Sequence, residues 1–389
     1  MGELRPSALI VRPLNKVLHI ITGLNTGGAE MMLYKVLSRV NRGAFHSSVI
    51  SLMDKGTVGD QIESLGIKVH QLGMSSGLPS PKSLKYLREI ILEYEPDIIQ
   101  GWMYHGNLLS SISALFLKKR CQVFWNVRQS LYSLRYEKKS TALVIKASCY
   151  FSRFPQRIIY NSSKSADQHE ILGYQRGKRI IIPNGFDTEI YKPSEESYAS
   201  LRRELNVKDT TMLIGLVARA HPMKDHDNFF RAAALLSKKY SNCEFVLAGK
   251  GVDIHNISMQ NTISSLGLTD RVHLLGERKD TMRVTAALDI ATSSSFAEAF
   301  PNVVGEAMSC GIPCVVTDVG DSAVVVGDAG MVVPPRDSDT LATAWGCLID
   351  LGHDRRRELG MRARQRIIEN YSLDVVVKQY EQLYGTCSL

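Results

Sequence analysis

The apolar residues of this chain are grouped in short runs, and each run is followed by a turn and a segment with helical spacing. In the first half of the chain the runs are KVLHIIT, HSSVISL, IKVHQL, PDIIQGW, QVFWNV, RIIYNS and RIIIPNG. Continuous apolar strands that are separated by helix-length segments are typical of a parallel sheet with helices on both faces. The pattern therefore predicts an α/β unit in this half.

The alternation stops at NGFDTEIYKPSEESYAS (184–200) and resumes with TMLIGLVAR, EFVLAG, VHLLG, LDIATS and CVVT. A stretch rich in Pro, Ser and acidic residues favours a domain boundary there, and 389 residues are too many for one core. We expect an α/β fold of two Rossmann-like, doubly wound domains with a cleft between them. The expected segments are an N-terminal tail (1–15), a first domain (16–190), a second domain (191–370) and a C-terminal helix that packs back on the first domain (371–389).

Composition excludes several classes of protein. Hydrophobic and charged contents of 44% and 22% are ordinary for a globular protein. No apolar run approaches the roughly 18 residues that a membrane-spanning helix needs. Arg12 and Pro13 interrupt the apolar residues near the start, which argues against a secretory signal. The seven cysteines lack metal-site spacing. We expect a cytoplasmic protein, with peripheral contact at the cytoplasmic face of the membrane as one option.

The net charge of +8 is concentrated between residues 116 and 160, where ten basic residues accompany one acid. Solvated helix faces would explain this, and so would a surface that meets an anionic membrane or a lipid diphosphate. Interleaved aromatic residues such as Trp125 and Tyr150 suit a membrane interface. Nucleic acid is not an expected partner, because no nucleic-acid-binding motif is present.

Two glycine-rich or basic loops follow predicted strands. In TGLNTGGAE, Gly27 and Gly28 open a helix whose first amides would favour a phosphate, although a tight turn without a ligand is the simpler alternative. In VARAHPMKDHDNF, Arg219 and Lys224 could hold a diphosphate and stabilise it as a leaving group. An ordinary basic loop remains the alternative there.

A third loop, SFAEAFPNVVGEAMSCGIPCVVTDVG, places Glu298 before a helix that Pro301 begins and Glu306 inside that helix. The first amides of a helix lack intrahelical partners and can bind an anion. Glu306 could accept hydrogen bonds from a ribose diol, and Glu298 from a sugar hydroxyl. Placement favoured by the helix dipole, or on a solvated helix face, would explain either glutamate singly.

These motifs, together with PDIIQGWMYHGNLL, IIYNSSKSADQHEILGY and IIPNGFDTEIYKP, resemble the retaining GT-B glycosyltransferases of family 4 over nearly the whole chain. The resemblance implies a nucleoside diphosphate sugar donor, UDP- or GDP-linked, held mainly by the second domain and a glycan or lipid-linked acceptor held mainly by the first. It implies surface or exopolysaccharide biosynthesis and no cofactor or catalytic metal. By position, the implied donor-binding residues are Gly27, Gly28, Arg219, Lys224, Phe300, Pro301, Asn302, Val303 and Glu306, and Glu298 would hold the transferred sugar.

The resemblance is incomplete in QGWMYHGN, where Gln100 and Trp102 stand at positions that are histidines in many members. His105 matches a further histidine of some members and is the candidate for the reaction centre, with a hydrogen-bonded loop histidine as the alternative. Asn126 and Arg128 follow a strand on the same side and could contact an anionic acceptor. A nucleotide-sugar epimerase, an inverting transferase, or a non-catalytic sugar-nucleotide-binding assembly protein on the same fold remain alternatives.

Overall fold

The computed structural model describes residues 15–74, 80–131, 134 and 138–386. Its first sheet has seven parallel strands in the order β3-β2-β1-β4-β5-β6-β7 among the described residues. These strands are β1 (Asn15–Ile21), β2 (Phe45–Ser51), β3 (Val69–Gln71), β4 (Ile98–Trp102), β5 (Gln122–Val127), β6 (Arg157–Tyr160) and β7 (Arg179–Ile181). The helices between them are α1 (Gly28–Arg39), α2 (Gly56–Ser64), α3 (Pro81–Tyr94), α4 (Met103–Ala114), α5 (Lys139–Phe151) and α6 (Ser163–Leu172).

The second sheet has six parallel strands in the order β10-β9-β8-β11-β12-β13 within the described part of the chain. These strands are β8 (Met212–Val217), β9 (Cys243–Ala248), β10 (Val272–Leu274), β11 (Ile290–Ser293), β12 (Cys314–Thr317) and β13 (Gly330–Val333). The accompanying helices are α7 (Glu195–Leu205), α8 (His226–Ser237), α9 (Ile257–Ser265), α10 (Thr281–Ala286), α11 (Asn302–Ser309), α12 (Ser322–Val326), α13 (Ser338–Asp350), α14 (Gly352–Tyr371) and α15 (Leu373–Gly385).

The predicted fold of two doubly wound parallel sheets is confirmed. Apolar clusters lie on both faces of each sheet, because β-branched and aliphatic strand residues alternate sides and both sides are covered by helices. Two details differ from the sequence pattern. The short edge strand β13 was not expected, since GMVV is half exposed. The polar stretch 184–200 is also not all linker: α7 begins at Glu195, capped by Ser194, and Arg202 ties it to Asp289 of the second domain.

The chain crosses between the domains twice, and the two crossings lie side by side. The Phe186 amide donates to the Tyr371 carbonyl at 2.9 Å, and the Leu373 amide donates to the Phe186 carbonyl at 2.8 Å. After the second crossing, α15 packs into the core of the first domain through Tyr380, Tyr384 and four aliphatic neighbours on one helix face (Leu373, Val376, Val377 and Leu383). The two domains are therefore joined by two neighbouring segments of the chain, one near Phe186 and one near Ser372.

Candidate active site

The loops that the sequence singles out follow the carboxyl ends of strands in both sheets. Gly27 and Gly28 follow β1, the QGWMYH region ends β4 and begins α4, and Arg128 follows β5. In the second sheet, Arg219 and Lys224 follow β8, while 294–301 connects β11 to α11. Ligands of open parallel sheets bind at these carboxyl ends. The two sets of loops contact each other, since the Ser130 hydroxyl donates to the Glu298 carbonyl at 3.0 Å.

Lys224 and Glu298 come from different loops and form an ion pair. The Ser295 hydroxyl donates to the same Oε1 atom of Glu298 at 2.8 Å. The two loops are joined further by the main chain, because the Ser294 hydroxyl donates to the Lys224 carbonyl at 2.8 Å and the Phe296 amide donates to the Met223 carbonyl at 3.0 Å. The structure thus places a cation and a carboxylate, both part-buried, at one point of the cleft.

Arg219 lies beside this pair, is exposed, and forms no ion pair with any residue that the structure describes. Its influence is visible at His221, whose imidazole accepts a hydrogen bond from the Met223 amide at 3.3 Å. Burial lowers the pKa of His221, and the positive charges of Arg219 and Lys224 lower it further. The β8 loop therefore presents positive charge and a neutral imidazole to the cleft, which suits a polyanionic ligand.

The helix α11 begins immediately after Pro301, as the sequence predicts from a proline at the first turn. The Phe300 side chain is buried and stacks on Phe186 with ring centroids 6.1 Å apart, so only its backbone can face a ligand. Phe186 also fixes Gly305, since a Cβ at that glycine would lie 2.1 Å from the ring. Asn302, the first helical residue, accepts a hydrogen bond from the Asn184 amide group at 2.6 Å. The start of α11 is thus held by the chain crossing on which Phe186 lies.

Glu306 lies part-buried near this junction and is not on a solvated helix face. Burial raises the pKa of its carboxyl to about 7, and the charge of Lys35 and the hydroxyl of Tyr191 oppose that rise. Lys35 belongs to α1 of the first domain, donates to the Gly185 carbonyl at 3.3 Å, and has its own pKa lowered by burial. Sequence reasoning missed both partners: Lys35 belongs to no quoted motif, and Tyr191 lies in IIPNGFDTEIYKP but was given no role, because only folding brings the two residues to Glu306.

The described fold does not require glycine at either position after β1, because the one close contact is with the flexible end of a side chain. A Cβ at Gly27, the cap residue of α1, would lie 2.3 Å from a carboxylate oxygen of Glu30. A Cβ at Gly28 would have no described atom within 4 Å, so nothing in the described fold requires glycine there. Open space in front of the first amides of a helix is compatible with the predicted approach of a phosphate.

His105 lies in the first turn of α4, which starts from an unusual backbone conformation. Met103 has a φ of 61°, a left-handed value that costs free energy for a residue with a side chain. Gly106 lets the helix approach β1, because a Cβ there would lie 2.4 Å from the Ile20 carbonyl oxygen. Tyr104 is hydrogen-bonded to His169 at 2.9 Å. The helix start is therefore rigidly placed, and burial lowers the pKa of His105, which favours a neutral imidazole.

Gln100 and Trp102, the two departures from the family pattern, face α15. The Tyr384 hydroxyl donates to Gln100 Oε1 at 2.5 Å. Trp102 stacks on Tyr380 with ring centroids 6.2 Å apart, and its indole donates to His19 at 3.2 Å. These side chains dock the C-terminal helix.

Asn126 and Arg128 are buried in a network below the cleft. Arg128 donates to Asn126 Oδ1 and to Asn184 Oδ1, each at 3.1 Å, and to the Tyr380 hydroxyl at 2.9 Å. Asn126 also donates to Tyr380 at 2.9 Å. The hydrogen-bonding groups of both residues are used internally, and the predicted contact with an acceptor stays a prediction.

Among the residues that the structure describes, no group of three His, Cys, Asp or Glu side chains is arranged to hold a metal ion. None of the helices in the described ranges has the length and apolarity to cross a lipid bilayer.

Comparison with known proteins shows the class of this architecture. The Anabaena protein HepE in its crystal structure with UDP superposes with a TM-score of 0.82 at 23% identity, over 95% of this chain and 100% of that one. The two-domain fold is GT-B. Residues 26–190 match the model described as Glycosyltransferase Family 4, and residues 211–350 match that described as Glycosyl transferases group 1. The chain therefore belongs to the group 1 glycosyltransferases.

Two curated relatives span most of the chain. One is a putative glycosyltransferase, EpsF, of Bacillus subtilis, which is 24% identical over 82% of this chain and 83% of its own length. The other is an Escherichia coli UDP-Gal:α-D-GlcNAc-diphosphoundecaprenol α-1,3-galactosyltransferase, which is 25% identical over 78% of this chain and 79% of its own length. Both are similar to this chain along both domains.

Proposed function

We propose that this chain transfers a hexose from a UDP- or GDP-sugar to a hydroxyl of a glycan or lipid-linked saccharide, with retention of configuration and without a catalytic metal. The observation that carries the proposal is the ion pair of Lys224 with Glu298, in the loop that leads into α11, with Arg219 exposed on the same loop as Lys224. A diphosphate needs cations and helix-start amides, and a sugar needs a carboxylate acceptor. The names of HepE bound to UDP and of the galactosyltransferase support a UDP-sugar as the first donor to test.

In the proposed reaction, the bond between the anomeric carbon and the β-phosphate oxygen breaks while the acceptor oxygen bonds to that carbon. The acceptor proton passes to the departing phosphate, so no protein base is required. Arg219 and Lys224 stabilise the charge that develops on the diphosphate. Glu298 holds the sugar, and its pairing with Lys224 in the ligand-free state keeps the lysine in place. Glu306 accepts ribose hydroxyls, and the neutral His105 lies on the sugar side.

The alternative of a non-catalytic binding protein depended on Gln100 and Trp102. Since both side chains dock α15, their presence is explained by packing and carries no argument against transfer. The alternative of an inverting transferase is decided by the anomeric configuration of the product, measured by NMR coupling constants.

The proposal is tested first by binding and then by turnover. A ligand that binds only the folded protein raises its melting temperature, so a screen of UDP-, GDP- and ADP-sugars identifies the donor. We expect stabilisation by one nucleotide class and its loss in Glu306→Ala, with the exposed Glu358→Ala as matched control. Equal behaviour of both variants, or transfer at wild-type rate by Lys224→Ala, would overturn the proposed donor site.

We also propose that the first domain contacts an anionic membrane through one face of α5. Lys139, Leu143, Lys146 and Tyr150 are spaced by three or four residues and are all exposed, and the face continues into Arg153 and Phe154. Leu143, Tyr150 and Phe154 are 67%, 59% and 56% exposed. Alternating cations and large apolar side chains on one face suit the boundary between lipid headgroups and acyl chains. Trp125, which the sequence suggested for a membrane interface, is fully buried in the first domain and is not part of this face. Arg135, Tyr136 and Glu137, which belong to the basic stretch 116–160, lie outside the described residues.

Sedimentation with vesicles of phosphatidylglycerol and phosphatidylcholine, compared with phosphatidylcholine alone, tests this surface. We expect binding to the anionic vesicles only, reduced by Lys146→Glu and by Leu143→Ser but not by Lys239→Glu on the second domain. Equal and weak binding to both vesicle types would end the membrane proposal without affecting the donor site.

A further inference from the structure

Asp321, which no motif singled out, lies in the turn after β12 and reaches across to the first domain. Its side chain is buried, with only 5% of its surface exposed. Its Oδ2 atom accepts a hydrogen bond from the Ser163 amide at 2.8 Å, and its Oδ1 atom accepts one from the Lys164 amide at 3.2 Å. Both amides belong to the first turn of α6, so a carboxylate of one domain completes a helix of the other.

The first backbone amides of α6 all have hydrogen-bond acceptors within the protein only when the two domains are in contact. The first amides of a helix have no intrahelical partners, and Ser162 satisfies one of them by accepting from the Ser165 amide at 3.0 Å. Asp321 satisfies the two before it, and its negative charge lies at the positive end of the helix dipole. If the domains separated, these two amides and the carboxylate would have to find water as their partner. The contact therefore favours the closed arrangement.

The same turn is connected to the loop that carries Glu298. Gly320, with a φ of 55°, packs so closely that a Cβ there would lie 2.5 Å from the Glu298 carbonyl oxygen. From the other side, the Ser130 hydroxyl donates to that carbonyl at 3.0 Å. The Ser165 hydroxyl donates to the Gln129 carbonyl at 2.6 Å, which connects α6 to the segment that carries Ser130. The Glu298 loop thus contacts Gly320 on one side and Ser130 on the other, and the neighbours of both, Asp321 and Gln129, are hydrogen-bonded to α6.

From this geometry we infer that Asp321 is a positioning residue: it latches the two domains together at α6 and thereby sets the Glu298 loop for the sugar. The role of Glu298 in binding the sugar rests on the proposed function, whereas the contact of Asp321 with α6 does not. Donor bound to the second domain would react only when Asp321 meets α6, because closure brings acceptor and donor together. Opening the latch would then release the products.

Asp321→Asn tests the latch, since it keeps the side-chain size and removes the charge and one acceptor oxygen. Asp328→Asn is the matched control, because Asp328 is exposed seven residues further along the same segment. Hydrogen exchange of the intact ligand-free protein, read on the peptide that contains Ser163 to Ser165, reports the contact without any substrate. Small-angle scattering reports the separation of the domains, and initial rates with UDP-galactose and UDP-glucose report turnover.

We expect Asp321→Asn to raise exchange at the start of α6 at least tenfold, to increase the radius of gyration, and to lower kcat more than it raises the donor KM. Asp328→Asn should match the wild type in each measurement. Unchanged hydrogen exchange at the start of α6 in Asp321→Asn would overturn the latch. Raised exchange throughout both sheets would also overturn it, because that result would show general destabilisation of the fold. If Asp321→Asn exchanged faster at the start of α6 but the wild type transferred no sugar, the latch would be supported and the proposed function contradicted.

Ser130→Ala provides a second variant that removes the other contact with the Glu298 loop and leaves α6 capped. We expect kcat to fall by a smaller factor, with normal exchange at α6, since one neutral hydrogen bond is lost. If Ser130→Ala opened α6 as Asp321→Asn does, the latch would not lie at Asp321.

Discussion

Charged and polar side chains lie at or beyond the carboxyl ends of strands in both domains, with Asn126 inside β5 and not after it as the sequence predicts, yet their partners differ. In the second domain Lys224 pairs with Glu298 across two loops, and Arg219 is exposed to the cleft. In the first domain Arg128 donates to Tyr380 and to Asn184, and Asn126 donates to Tyr380. The second-domain side chains lie near the surface, where a ligand could replace their present partners. The first-domain side chains join the first domain to α15 and to the chain crossing at Asn184. The difference separates side chains that we propose to contact a ligand (the ligand set) from side chains whose bonds join parts of the fold (the assembly set).

The largest effect should come from Lys224→Ala. We expect transfer to fall by roughly a factor of 10² to 10³, because a preorganised cation facing the leaving group is lost. The free energy of unfolding should change by less than about 1 kcal/mol, since a part-exposed ion pair contributes little. Steady-state rates and urea unfolding measure the two quantities. Lys239→Ala is the control, because Lys239 also pairs with an acid, Asp350, at 3.6 Å. A large loss of stability in Lys224→Ala would place this lysine with the assembly set.

Arg128→Met should show the opposite behaviour. Removing the guanidinium takes away the buried donor of Asn126 Oδ1 and of Asn184 Oδ1 and one of the donors to the Tyr380 hydroxyl, so we expect unfolding to become easier by about 2–4 kcal/mol. Donor affinity of the folded protein should change little, as measured by calorimetric titration with UDP. The exposed Arg120→Met serves as control. Wild-type stability with a raised acceptor KM would instead make Arg128 the acceptor residue that the sequence predicts.

Glu306→Gln should make stability and donor binding change in opposite directions. The folded pKa of about 7 lies above the usual 4.5, so the folded state holds a proton that the unfolded chain releases as pH rises between these values. Stability from this group is thus lost as pH rises through that window, and the amide variant avoids the loss. Above pH 7 we expect Glu306→Gln to be more stable than wild type by roughly 1–3 kcal/mol.

The same Glu306→Gln variant should bind UDP about tenfold more weakly, because an amide oxygen replaces a carboxylate as acceptor from the ribose. Urea unfolding at several pH values and titration with UDP measure the two effects. Glu358→Gln, on the exposed face of α14, is the control for the change of charge. Parallel pH profiles for Glu306→Gln and wild type would show that burial of Glu306 has no effect on stability.

Tyr380→Phe is expected to have the smallest effect. The phenol oxygen accepts hydrogen bonds from Asn126 and Arg128, each at 2.9 Å, while the ring stacks on Trp102. Phenylalanine keeps the stacking and leaves two donors unpaired, so we expect a loss of about 1–2 kcal/mol in urea unfolding. Tyr86→Phe, on the exposed face of α3, should change nothing. A loss of transfer without a loss of stability would move Tyr380 to the ligand set.

The sequence was a good guide to the fold, because strand-length apolar runs and helical spacing are local properties of the chain. It failed at β13, where GMVV is short and half exposed, and within 184–200, where α7 is stabilised by contacts such as that of Arg202 with Asp289. Polar residues in a segment do not show whether it is a linker, since a buried partner elsewhere can hold it in a helix.

By itself, the sequence determined the two-sheet fold and which loops are candidates for a ligand site, because strand-length runs, helix starts, glycines and charged residues after strands follow from local spacing. The tertiary structure alone decided how those residues are used. It pairs Lys224 with Glu298, turns Gln100 and Trp102 toward α15, surrounds Arg128 with internal acceptors, and brings Lys35 to Glu306 and Asp321 to α6. Apart from the bonds of Arg128 to Asn126 and to the 183–184 turn, each of these contacts joins residues more than 60 positions apart in the sequence, and local spacing carries no information about such pairs.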